Sequence, residues 1–166
     1  MKLNCDLGES FGNWKSGLDE QVMPFIDQAN IACGFHAGDP LVLLNTLKLA
    51  KENNTAIGAH PSYPDLVGFG RRSMNCSQQE IIAFMLYQIS AIDGMAKSLG
   101  LELEYVKPHG ALYNDMMTDK AVRNAIFIAL QQYPKPLKLM IQATQNLEAH
   151  KKEAHAFGID ILAEVF

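Results

Sequence analysis

Apolar positions along the chain fall into short unbroken runs that alternate with longer stretches carrying a single apolar face, a pattern that predicts strands alternating with helices. Lys2 to Cys5 reads as a brief strand entering Asp6-Leu7-Gly8-Glu9, and Ser10 to Ser16 has loop composition, with Trp14 a lid or packing residue. Leu18 to Ile26 suits a short helix limited by Pro24. The first half of the stretch from Asn30 to Pro40 is apolar without alternation, as in a strand buried on both faces. Asp39 and Pro40 then supply an N-cap and first helical position. Leu41, Leu44, Leu47 and Ala50 recur at helical spacing, opposite Lys48, Lys51 and Glu52, until Asn53-Asn54 ends that helix. Thr55 to Ala59 is a third strand delivering His60, followed by a long irregular segment from Pro61 to Arg72. Ser77-Gln-Gln-Glu80 is a capping box opening the longest helix, with Ile81, Phe84, Met85, Ile89, Ile92 and Leu99 as its core stripe and Gly100 as its stop. Leu103 to Val106 is a fourth strand, Thr118 caps a helix reaching Tyr133, and Leu137 to Ile141 is a fifth strand delivering Gln142. A helix from about Gln145 to Phe157 and a sixth strand, Ile159 to Val165 carrying Glu164, complete the pattern.

Six alternations of this kind predict an α/β fold with a parallel sheet and right-handed crossovers, either a barrel or an open doubly wound sheet. At 166 residues the chain is expected to form one domain. In both architectures the C-terminal strand ends share one edge, where chemistry is placed in such folds. That edge gathers Asp6, Glu9, His36, His60, Lys107 and His109, whereas the strand entries near Asn53-Asn54, Gly100 to Glu102 and Pro134 to Pro136 carry no comparable set. The convergence predicts an enzyme.

Composition adds little beyond exclusions. A hydrophobic content of 48% with 19% charged residues is ordinary for a globular protein, and a net charge of -4 gives no basic footprint for nucleic acid or anionic lipid. No run approaches the roughly 18 apolar residues of a membrane span, and the N-terminus reads as a strand, so a cytoplasmic location is expected. Cys5, Cys33 and Cys76 form neither a CxxC pair nor a disulfide framework, and Cys5 and Cys33 read as small buried apolar residues.

Two carboxylates, three histidines and a lysine offer acid/base groups near neutral pH and stabilisation of an oxyanion or phosphoryl group. Neither a GxSxG elbow nor a GxxxxGK[ST] phosphate loop is present. Gly68-Phe-Gly-Arg-Arg72 offers backbone amides and guanidinium groups to phosphate, and Asp6, His36 and His60 are the candidate ligands of a divalent metal.

Asn4-Cys-Asp-Leu-Gly-Glu9, Ala29-Asn-Ile-Ala-Cys-Gly-Phe-His-Ala-Gly-Asp39, Gly58-Ala-His-Pro61 with Gly68-Phe-Gly-Arg-Arg72, and Val106-Lys-Pro-His-Gly-Ala-Leu-Tyr113 strongly resemble the LamB/YcsF family, from Leu3 to the end of the chain. The resemblance implies a TIM-like barrel akin to glycoside hydrolases and polysaccharide deacetylases. It also implies an ATP-hydrolysing 5-oxoprolinase in which this chain is the A subunit beside subunits B and C, opening 5-oxo-L-proline to L-glutamate. On that reading Asp6 or Glu9 activates water, Lys107 and Arg71 neutralise charge, and His36, His60 and His109 shuttle protons. Asn4, Asn30, Gly34, Arg71, Arg72 and Tyr113 are then the substrate- or nucleotide-binding set. Family members run to about 250 residues, the usual size of such barrels, so a C-terminally incomplete barrel is expected, self-associating through its open edge. Two other functions remain open: a metal-dependent deacetylase or amidohydrolase on the same strand ends, and a non-catalytic partner subunit.

Overall fold

The computed structural model describes residues 1–166 and contains six strands: β1 (Asn4–Leu7), β2 (Gln28–Ala32), β3 (Ala56–His60), β4 (Leu103–Val106), β5 (Lys138–Gln142) and β6 (Ile161–Glu164). The helices are α1 (Asp19–Val22), followed by a single 3₁₀ turn at Met23–Phe25, α2 (Pro40–Glu52), α3 (Gln78–Ser98), α4 (Gly110–Thr118), α5 (Lys120–Gln132) and α6 (Leu147–His155). No helix is long and apolar enough to cross a membrane.

All five pairings are parallel and the strand order is β1-β2-β3-β4-β5-β6. A doubly wound sheet reverses its order at a switch point; this one never does, which decides between the two expected architectures in favour of a curled, barrel-type sheet. The curl is visible in one side chain. Lys107, just beyond β4, places Nζ 3.2 Å from Asp6 of β1 and 2.7 Å from Glu164 of β6, spanning the concave face between the two edge strands. β1 and β6 do not pair with each other, so the sheet is a half-barrel.

Strand alternation sorts residues between faces. On β1, Asn4 and Asp6 face inward while Leu7 joins the outer core; on β2, Asn30 faces inward while Ala29 and Ile31 pack outward under the helices. The core beneath α3 and α5 is built from Met85, Ile89, Ile92 and Ala96 against Ala125, Ile126 and Ala129. The Ser77–Glu80 capping box opens α3 as expected, and Asp39 caps α2 through the amides of Leu41 and Val42.

Three local expectations are corrected. Leu41 is 64% exposed, and the buried stripe of α2 is Leu43, Thr46, Leu47 and Ala50. Thr46 can occupy an apolar position because its hydroxyl donates to the Val42 carbonyl at 2.9 Å. Thr118 ends a helix rather than starting one: Asp119, with an extended backbone, closes α4 and caps α5 through the Ala121 amide at 2.7 Å. Trp14 is 78% exposed and held through a backbone bridge to Phe11, so it is not a packing residue. The cysteines are unpaired, and burial pushes the Cys33 thiol up to about 12, out of nucleophilic range.

Candidate active site

The polar groups on the concave face form two layers. The lower layer surrounds Lys107, which is only 7% exposed. Its ammonium donates to Glu164 Oε1 at 2.7 Å, Asp6 Oδ1 at 3.2 Å and Asn4 Oδ1 at 3.3 Å. Asn30, fully buried, donates to Asn4 at 2.7 Å and Asp6 at 2.8 Å, and accepts from the Tyr105 hydroxyl at 2.7 Å. Tyr113 donates to the second oxygen of Glu164 at 2.8 Å. Burial pulls the Asp6 carboxyl upward, but His60, Lys107 and Asn30 outweigh it and hold that carboxyl well below its ordinary range. Asp6 is therefore a fixed anion and a weak base.

The upper layer holds Glu9, His36, His60 and His109. His60 closes β3 and places Nδ1 2.6 Å from the Lys107 carbonyl, while its Nε2 lies 3.0 Å from His109 Nδ1 and 3.4 Å from Asp6 Oδ2. His109 sets its other nitrogen 2.9 Å from the Phe69 carbonyl. His36 meets Glu9 at 2.9 Å and stacks flat on His109, with ring centroids 3.6 Å apart. Burial, reinforced by the neighbouring imidazoles, lowers His36 and His109 to about 3, leaving both rings neutral at physiological pH. Burial also raises the Glu9 carboxyl above its ordinary value, placing it nearer the range of a working general base.

The loop from Pro61 to Arg72 seals this layer. Phe69 adopts a left-handed backbone (φ 55°), presenting its carbonyl to His109 and its ring edge-on to His36 and His109 at 5.3 Å. A strained non-glycine residue of this kind costs about 1–3 kcal/mol and is held by its surroundings. Gly70 follows with φ 64°; a Cβ there would lie 2.8 Å from His36 Cβ and 2.9 Å from His109 Cδ2. The absence of a side chain lets the loop press directly onto both histidines.

Glu9, His36, His60 and His109 each present a ligating atom within 4.8 Å of the others, so a divalent metal could be held here. This corrects the expected ligand set: Asp6 is drawn down to Lys107 and Asn30, and Glu9 and His109 take its place. The fold brings together Asn4, Asp6, Glu9, Asn30, His36, His60, Lys107, His109 and Tyr113. Other candidates stand apart. Arg72 is committed to Asp65, and Arg71 lies over the Phe69 ring at 5.7 Å with its side chain exposed. Gly34 donates its amide to Ala37 and serves the turn after β2. The expected phosphate contact through the amides of Gly68 to Arg71 is also corrected: all four are spent within the loop, on Asp65, Leu66 and Gly68.

Glu164, Tyr105 and Phe69 are absent from the sequence-based site. A carboxylate inside the apolar run of β6 is a signal for Glu164. Tyr105 and Phe69 leave none, because an aromatic residue in a strand or loop reads as packing.

Comparison with known proteins agrees with this architecture. The family model described as "LamB/YcsF family" matches residues 1–166. The chain is 54% identical, over its whole length, to a 5-oxoprolinase A subunit of Pseudomonas putida (strain KT2440) and to the 5-oxoprolinase A subunit of Acinetobacter baumannii (strain ACICU), covering 64% of each. It thus spans a little under two thirds of those relatives. The crystal structure of the lactam utilization protein from Thermus thermophilus superposes with a TM-score of 0.92 at 41% identity, over 98% of this chain and 64% of that one. The motifs, the half-barrel and the matched relatives converge: the chain belongs to the LamB/YcsF family.

Proposed function

We propose that this chain is the A subunit of a cytoplasmic, ATP-dependent 5-oxoprolinase, working with subunits B and C to hydrolyse 5-oxo-L-proline to L-glutamate. The observation that carries this reading is 54% identity along the whole chain to proteins named as 5-oxoprolinase A subunits. A five-membered lactam is a poor electrophile, and transfer of the terminal phosphoryl group of ATP to its oxygen, releasing ADP, makes the ring carbon attackable. Water then adds to that carbon, the C–N bond breaks and the ring nitrogen takes up a proton. A second water releases phosphate from the resulting carboxyl phosphate, leaving glutamate.

The geometry supports a division of roles. The attacking water belongs to the upper layer, where Glu9 is the more basic carboxylate and the histidines relay its proton to the departing nitrogen. Asp6, pinned by Lys107 and Asn30, positions His60 instead of acting as base. Lys107 is saturated by Glu164, Asp6 and Asn4, so phosphate neutralisation falls to Arg71 at the rim.

The test is glutamate release by the chain combined with subunits B and C, with and without ATP. Dependence on both ATP and oxoproline, abolished by Glu9→Gln, is expected; wild-type turnover by Glu9→Gln would remove the upper layer from the chemistry. The histidine-rich cluster also favours a second reading, a metal-dependent amidohydrolase. Ring opening or deacetylation that needs a metal and no ATP would select it.

A further inference from the structure

The two central histidines are each held by a backbone carbonyl, and this fixes where their hydrogens lie. A carbonyl oxygen only accepts. His60 Nδ1, 2.6 Å from the Lys107 carbonyl, and His109 Nε2, 2.9 Å from the Phe69 carbonyl, therefore both carry hydrogen. In neutral rings the remaining nitrogens are bare lone pairs, and they face each other at 3.0 Å. Two lone pairs at that distance repel unless a positive centre lies between or beside them, which a proton or a metal ion can supply.

Three observations favour the metal. First, atoms that share one ion at about 2.0–2.2 Å lie about 3–4 Å from one another. His60 Nε2 to His109 Nδ1 is 3.0 Å, His109 Nδ1 to Glu9 Oε1 is 3.8 Å and the third pair lies within 4.8 Å, so a small inward turn of the Glu9 carboxylate brings three donors onto one ion, whereas a shared proton leaves Glu9 out. Second, both histidines already have the carbonyl partners that orient imidazole ligands from behind. Third, Asp6, Glu9 and Glu164 share this face with a single ammonium, Lys107, an excess of carboxylates that draws a cation in.

His36 has a different place. Its plane is parallel to that of His109 within 5° at 3.6 Å, so an ion lying in the plane of one ring is displaced from the plane of the other. Its Nε2 instead meets Glu9, and its Nδ1 is buried without a partner. We propose that Glu9, His60 and His109 bind one divalent transition-metal ion of the zinc class, with His36 as the positioning residue for Glu9 and a coordination position left for a solvent or substrate oxygen. The site stands on this geometry and does not depend on the oxoprolinase reading. With the ion bound, Glu9 is a ligand, and the water deprotonation assigned to the cluster falls to ion-bound water.

The test is binding. Chelator-stripped protein is titrated with Zn²⁺ by calorimetry, metal content is measured after dialysis, and Co²⁺ absorption reports the ligand set. One equivalent per chain is expected. His60→Gln and His109→Gln should weaken binding by more than about 100-fold, and His36→Gln by about 10–100-fold with the Co²⁺ spectrum retained. Circular dichroism confirms that each variant is folded, and the wild-type titration needs no variant at all. Failure of folded wild type to bind an equivalent of Zn²⁺ overturns the site. So does unchanged binding in His60→Gln, or a proton still shared between His60 and His109 by nitrogen NMR in excess Zn²⁺. Metal bound as expected without ATP-dependent glutamate release would sink only the oxoprolinase reading.

Discussion

Gly58 on β3 sits under the ring of Tyr105, and replacing it with alanine should reach the site through that contact. A Cβ at Gly58 would lie 2.2 Å from Tyr105 Cε2, 2.3 Å from Cζ and 2.6 Å from Cδ2, against ordinary contacts of 3.4–4 Å. The ring must retreat by more than an ångström. Tyr105 is fully buried, and the β3–β4 register already shifts between Ile57 and Gly58, so retreat forces neighbours off their rotamers. Overpacking of this kind costs about 1–3 kcal/mol. Moving the hydroxyl also takes it from Asn30 Oδ1, now 2.7 Å away, leaving a buried acceptor unsatisfied at about 1–3 kcal/mol more. The gain from removing a strand glycine is about 0.5–1 kcal/mol, so Gly58→Ala should lose roughly 1–5 kcal/mol net, a large part of a typical 5–15 kcal/mol stability. Urea unfolding midpoints check the assignment in a double-mutant cycle with Tyr105→Ala, and Tyr105→Phe isolates the hydrogen bond. In the Tyr105→Ala background the alanine at position 58 should be close to neutral. An equal penalty in both backgrounds would show that the ring is not what the added methyl meets, and the reasoning would fail.

Glu164→Gln keeps an acceptor for Tyr113 but removes the nearer counter-charge of buried Lys107; since Asp6 remains, a loss near the lower end of about 3–5 kcal/mol is expected in urea unfolding. No loss would mean that Asp6 alone neutralises the lysine. Gly70→Ala combines a left-handed backbone with a Cβ under 3 Å from both His36 and His109, so it should cut turnover by about 100-fold while circular dichroism stays native. Unaltered turnover would detach the Pro61–Arg72 loop from the site. Asp93 lies outside the site. Burial raises its carboxyl, but hydrogen bonds from Lys97 and Tyr133 outweigh this and hold it below the ordinary range. A depressed folded pKa contributes stability above the unfolded value of about 3.9 and loses it as pH falls further. Asp93→Asn should therefore flatten the fall in melting temperature below about pH 4; an unchanged acid limb would refute the coupling.

The fold was legible because its main signals are local. Asp39-Pro40 and Ser77-Gln-Gln-Glu80 place two helix starts within a few residues, and unbroken apolar runs mark strands covered on both sides. Barrel and doubly wound sheets differ in strand order, which no local pattern encodes, so only the pairing decides between them. The site residues were legible in kind, since chemistry gathers where parallel strands end, but their assignments depend on distances between elements far apart in sequence. Asp6 and Glu9 are three residues apart and both lie near histidines, yet one is locked to Lys107 and the other to His36. Arg71 and Arg72 look alike in sequence; Asp65, seven residues before Arg72, claims only the latter. Tyr105 escaped notice because a strand tyrosine reads as core until its hydroxyl is seen to hold Asn30.

Charge placement also constrains how substrates enter. The ammonium of Lys107 is enclosed by Glu164, Asp6 and Asn4, beneath the neutral rings of His36 and His109 and the Glu9 carboxylate, so carboxylates outnumber the ammonium in this interior. A phosphate-bearing group brought there would meet uncompensated carboxylates in a partly dehydrated setting, where like-charge repulsion is weakly screened. A neutral lactam oxygen or a divalent cation meets no such barrier. Arg71, exposed and laid over Phe69, makes no ion pair with a carboxylate and stands close enough to act electrostatically on Glu9 and His36. The proposed reaction therefore divides in space, with phosphates held at the rim by Arg71 or by a partner protein, and the ring carbon presented inward to Glu9 and the histidines. Phe69 joins the two regions: its carbonyl fixes His109, and its ring carries the guanidinium of Arg71. Closing phosphate onto Arg71 would thus bear on the same residue that sets the orientation of His109.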